Sequence, residues 1–83
     1  MGTSREIIRA WYEYGEQKNA THMIVVCDTF DHEDYPTYVM PDEDVRAKYA
    51  EYDGPNMQRV MEVYSYKLDK EMQLAEHRSY HFD

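Results

Sequence analysis

The spacing of hydrophobic positions changes several times along the chain, and each change marks an element. Ile7, Ile8, Trp11 and Tyr12 recur at helical spacing with Gly15 on the same stripe, while Arg5, Arg9, Glu13 and Glu16 take the other faces. Thr3-Ser4-Arg5-Glu6 fits a capping box, in which a hydroxyl and a carboxylate three residues apart satisfy each other's free backbone donors. This predicts a first helix ending near Lys18-Asn19-Ala20, with Trp11 as its core anchor. His22-Met23-Ile24-Val25-Val26-Cys27-Asp28 follows, apolar on both faces as a central strand is. The polar run Asp31 to Pro36 predicts a loop or wide hairpin turn. It leads into Thr37-Tyr38-Val39-Met40, a short second strand whose brief connection favours antiparallel pairing.

Pro41 closes that strand, and Asp42-Glu43-Asp44 places three acids where the positive end of a helix dipole welcomes them. Val45, Tyr49 and Tyr52 give the next helix its stripe, and Gly54-Pro55 ends it. From Met57 to Tyr66 the period becomes two, predicting a long third strand. Met57, Arg59, Met61, Val63 and Ser65 would lie on one side, with Gln58, Val60, Glu62, Tyr64 and Tyr66 on the other. Leu68, Met72 and Ala75 predict a short final helix from about Asp69, followed by a tail, 78–83, that frays unless it docks. The expected fold is α+β: one small domain over residues 1–83, in the order α-β-β-α-β-α, with a three-stranded, mainly antiparallel sheet covered by helices.

Composition bounds what such a domain does. Eighty-three residues support one core and leave little room for a deep substrate cavity. With 17 Asp and Glu against 9 Lys and Arg, the formal net charge is −8, which argues against direct binding to nucleic acid or an anionic membrane. The single cysteine, Cys27, permits no internal disulfide, and the apolar run Met23 to Cys27 is far too short to span a bilayer. A soluble, cytoplasmic protein without an apolar leader is expected.

The charge is not spread evenly. Residues 1–18 balance, residues 46–83 carry a net −1, and residues 19–45 hold seven acids with no Lys or Arg. Three readings compete for this segment. The acids Asp42, Glu43 and Asp44 are well explained as solvated, helix-capping groups. The functional reading is a surface for a basic protein partner: Asp31, Glu33, Asp34, Asp42, Glu43 and Asp44 supply the potential, and Tyr35 and Tyr38, with Phe30 interleaved, supply contact anchors. A cation site from Asp28, Asp31 and Asp34 is disfavoured, because D-x-x-D-x-x-D lacks the grammar of a calcium-wrapping loop.

Catalytic signals are weak. His77 and His81 are spaced to share a helix face and hold zinc, but the adjacent Glu of zinc-protease helices is missing. Cys27 sits in the most apolar strand, where a thiol behaves as a small buried hydrophobe with a raised pKa. Gly2, Gly15 and Gly54 cannot build a phosphate-cradling loop. No catalytic residue, cofactor or metal is therefore expected. The nine tyrosines and six methionines serve as the rims of a small core or as a self-association surface, which makes a homodimer a further expectation.

The stretches Val25 to Phe30, Asp34 to Val39 and Asn56 to Tyr64 resemble those of small uncharacterised proteins encoded by bacteriophages and prophages. In size and charge the chain is also similar to phage-encoded inhibitors such as anti-CRISPR proteins, some of which present carboxylates where a nuclease complex expects phosphates. The resemblance implies host cytoplasm as the location and a nucleic-acid-binding host complex as partner. Together the residues lead to a non-enzymatic acidic binding protein that docks on a basic surface. One alternative is an oligomeric small-molecule or nucleotide binder with a Tyr- and Trp11-lined pocket, toward which Arg5, Arg9, Arg46 or Arg59 would converge. Another is a small metal-dependent hydrolase.

Overall fold

A computed structural model of the chain describes residues 3–76 and 78–83. The element order is α1 (Arg5–Gln17), β1 (His22–Asp28), β2 (Glu33–Val39), α2 (Val45–Tyr52), β3 (Gln58–Ser65) and α3 (Lys70–Ala75), with one 3-10 turn at Pro55–Met57. The strands form one sheet in the order β2-β1-β3, both pairs antiparallel. This is the expected α+β domain in the expected order, with β1 in the middle.

β1 is central because it is apolar on both faces, and the sheet divides the core in two. Met23 and Val25 face α1 and α3 and cluster with Ile8, Tyr12, Tyr64 and Leu74. Ile24 and Val26 face α2 and cluster with Val39, Val45, Val60 and Val63. The alternation of a strand sends successive side chains to opposite layers, so the four consecutive apolar residues Met23 to Val26 serve both.

Local chemistry sets the helix starts. The hydroxyl of Ser4, not Thr3, caps α1 by accepting from the Ile7 amide, so the predicted box shifts by one residue and Glu6 has no reciprocal part in it. Thr3 instead donates to Asp34 Oδ2 from its hydroxyl (2.7 Å) and its amide (3.2 Å), fastening the start of α1 to β2. Asp44 caps α2 through the Ala47 amide and Asp69 caps α3 through that of Met72. On α1 the buried stripe is Ile8, Tyr12 and Gly15, while Trp11 is only partly buried at the cluster's margin. Tyr12 is therefore the anchor in place of Trp11. Gly15 admits the sheet closely: a Cβ there would overlap the Tyr66 hydroxyl and the Tyr38 ring. Those two hydroxyls donate to the backbone oxygens of Tyr12 and Trp11.

Two further expectations are corrected. β2 begins at Glu33, so Asp34, Tyr35 and Pro36 belong to a strand, and Pro36 stands opposite Val25. A proline is tolerated because β2 is an edge strand. The alternation in β3 is broken: Val25 faces Glu62 and Val26 faces Val60, leaving Met61 as an extra residue in a bulge. Met61 thus joins Tyr64 and Tyr66 on the α1 side, while Val60 joins Val63 on the α2 side. Residues 78–83 lie along β3. The Val63 amide donates to Ser79 O (2.7 Å) and the His81 amide to Val63 O (3.0 Å), a parallel bridge beside the outer edge of that strand. Phe82 then packs on Tyr49 with Arg46 over its ring.

Candidate functional site

The acids of the central segment separate into two groups. At the β1–β2 turn, Asp28 Oδ1 accepts from the Phe30 amide (2.8 Å) and Asp31 Oδ1 from the Glu33 amide (3.2 Å), with His32 at positive φ. These side-chain-to-backbone bonds let a polar four-residue turn hold its shape. Asp31 and Glu33 are exposed there. Asp42, Glu43 and Asp44 lie beyond the other end of β2, about 20 Å away along the strand. That exceeds the screening length of about 8 Å at physiological salt, so the groups do not act as one patch.

The second group is occupied locally. Asp44 is the α2 cap, and Glu43 accepts from the Met40 amide (2.9 Å) and pairs with Lys48 (3.0 Å). The Met40 amide, then Lys48, holds the Glu43 carboxyl below its usual range. Asp42 is exposed. The two tyrosines proposed as anchors are also committed. Tyr38 donates to Trp11 O (2.7 Å), its ring lies 5.6 Å from that of Tyr14, and Lys18 sits 4.9 Å over it. Tyr35 packs against the α2-side cluster and its hydroxyl accepts from Gln58. Burial raises the pKa of both phenols. Asp34 is tied to Thr3 on the α1 side of β2.

What remains at the turn is a mixed patch. Phe30 is 76% exposed and Met57 56% exposed. Their backbone segments are fastened side by side, because Thr29 donates to Met57 O from both its amide and its hydroxyl, each at 2.8 Å. Phe30 was visible in the sequence as an aromatic among acids. Met57 was not, because only the pairing of Asp28 with Gln58 brings it alongside.

A second concentration of polar groups lies on the α1 side. Glu62 is 5% exposed, and its carboxylate meets the Arg5 guanidinium in two parallel bonds of 3.1 Å. It also accepts from the Tyr64 hydroxyl (2.6 Å) and the Ser79 amide (3.2 Å). Arg5 further donates to the Tyr64 oxygen (2.8 Å) and to Glu76 O (3.1 Å). The Glu62 carboxylate raises the Arg5 pKa, and burial, then Glu62, raises that of Tyr64. A cleft of about 450 Å³ opens beside this pair, lined by Thr3, Ile8, Val25, Asp34, Met61 and three arginines, Arg5, Arg59 and Arg78. Arg5 and Arg59 thus meet at one cleft, but no Tyr or Trp lines it. Arg9 pairs with Glu71 (2.6 Å) and Arg46 stacks on Phe82.

The other chemical candidates are placed as follows. Cys27 is half-buried rather than core, and burial followed by Asp34 raises its pKa. His81 Nε2 bonds Glu76 Oε1 (2.7 Å), and His77 lies outside the described residues. Among the described residues, no three His, Cys, Asp or Glu side chains are grouped to hold a metal ion. No described helix is long and apolar enough to cross a membrane. Comparison with protein-family models, curated proteins and solved structures finds no match.

Proposed function

We propose that this is a non-enzymatic binding protein that docks the tip of its β1–β2 turn onto a basic protein surface. The observation that carries the reading is the exposed pair Phe30 and Met57 fastened beside the exposed carboxylates of Asp31 and Glu33. An exposed aromatic ring on a turn braced by its own Asp side chains is a preorganised anchor, and carboxylates around it steer a cationic partner. A chain of net charge −8 approaches such a partner faster at low salt. A nucleic-acid-binding groove, cationic and aromatic-tolerant, is the class of surface this tip fits, and occupying it would make the protein a competitive inhibitor. Asp42, Glu43 and Asp44 serve α2 and take a secondary part.

The test is capture of partners from a cell extract at low and high salt, with the native chain and with the triple variant Phe30→Ser, Asp31→Asn, Glu33→Gln. The expected result is a basic protein retained at low salt, weakened at high salt and lost with the variant, whose circular dichroism is unchanged. Equal retention by native chain and folded variant at both salts would refute docking through the tip.

A further inference from the structure

We infer that the cleft between the start of α1 and the β3 side of the sheet binds a small organic carboxylate with a short apolar body. Its floor is apolar: Ile8 and Val25 are 5% and 1% exposed, and the bulge turns Met61 toward the same side. Its volume, about 450 Å³, lies in the range of small-ligand sites. The rim carries three guanidiniums against two carboxylates, so this one region is locally cationic in a chain of net charge −8.

The guanidiniums are not equivalent. Arg5 is committed to Glu62, whose oxygens also accept from Tyr64 and Ser79. The side chains of Arg59 and Arg78 make no hydrogen bond or ion pair with any described residue. They come from β3 and from the segment after α3, so folding alone brings them to one cleft. A guanidinium presents a planar fork that matches a carboxylate with two parallel bonds. An apolar tail entering the cleft would be removed from water against Ile8, Val25 and Met61. Charge chooses between carboxylate and phosphate. With Asp34 and Glu62 in the wall, the rim balances one negative charge and repels a second.

The experiment is NMR titration of the native chain with hexanoate, hexylamine and inorganic phosphate, each to about 10 mM, the scale on which millimolar binding is read. Hexanoate is expected to shift the Met61 methyl and the Arg59 and Arg78 side-chain signals, and hexylamine to leave them in place. The double variant Arg59→Gln, Arg78→Gln, both at exposed positions, should weaken hexanoate roughly tenfold, the equivalent of about 1.4 kcal/mol. Its remaining spectrum should stay native. Failure of hexanoate to move cleft signals, equal affinity in the double variant, or tighter binding of phosphate than of hexanoate each overturns the inference. Met61→Gln serves as a second probe, because loss of the apolar floor should weaken hexanoate while leaving both arginines in place.

Discussion

Beneath α2 the sheet is covered by a dry aliphatic cluster, Ile24, Val26, Val39, Val45, Val60 and Val63, whereas beneath α1 and α3 the same strands meet Tyr12, Tyr64, Tyr66 and the Glu62 carboxylate. On the dry side burial dominates, and within the aliphatic cluster a set of side chains of similar volume would serve. On the tyrosine side the hydroxyls of Tyr38, Tyr64 and Tyr66 each have a backbone or carboxylate partner, so position is specified as well as burial. Arg5 and Glu62, 57 residues apart in sequence, fix how α1 lies over β3, and the cleft opens where that alignment leaves space. Both faces thus contribute burial, and the α1 face adds orientation through discrete bonds.

The contrast is tested first by removing volume. Ile24→Ala should cost about 3–4 kcal/mol in urea denaturation, the usual penalty for a cavity in a fully buried aliphatic cluster. A loss below about 1 kcal/mol would mean that the dry face is loosely packed. Glu62→Gln, which barely changes volume, should cost about 2 kcal/mol because it removes the charge from a buried bidentate pair. The figure sits below the full buried-pair penalty because the Arg5 side chain is 44% exposed and can turn to water. If Glu62→Gln is neutral while Ile24→Ala is costly, both faces are stabilised by burial alone and the contrast fails.

The smallest effect concerns protons. His22 shares its face of β1 with Ile24 and Val26, is 7% exposed, and its Nε2 has no hydrogen-bond partner among the described residues. Burial, its dominant cause, lowers the His22 pKa below 6.5. The unfolded chain therefore takes up a proton at higher pH than the folded one. The contribution of His22 is complete above pH 6.5 and declines as pH falls through that value toward the lower folded-state value. Imidazole resonances followed by NMR should show His22 titrating below the ordinary histidine range. Titration at or above 6.5 would show that water reaches this end of the dry face.

Much of this was legible in the chain. Five contiguous apolar residues define β1, and Asp44 and Asp69 announce α2 and α3 because a capping side chain acts only on neighbours in sequence. What depends on distant partners was not. Pro36 inside a polar run reads as loop, and only its edge position makes it strand. Met61 fits either face by its own chemistry, so the bulge is visible only in the pairing with Val25 and Val26. Trp11 and Tyr12 are neighbours on one stripe. The closeness of Tyr66 to Gly15 selects Tyr12, and the glycine was the available signal. The acids fall within one segment of the chain, but β2 holds the two halves of that segment apart, and the arginines of the cleft come from three separate segments.

The segment 78–83 beside β3 has a consequence for the molecule in crowded solution. A sheet with free edges can recruit strands from other molecules and grow into fibrils. Here the β3 edge carries the bonds from Val63 to Ser79 and His81, and the opposite edge is interrupted in mid-strand by Pro36, which has no amide to offer. Both directions of growth are therefore discouraged by different means. Loosening the tail, as Ser79→Pro would, should expose one flank to self-templated assembly, visible as thioflavin-positive material from the variant under conditions where the native chain stays clear.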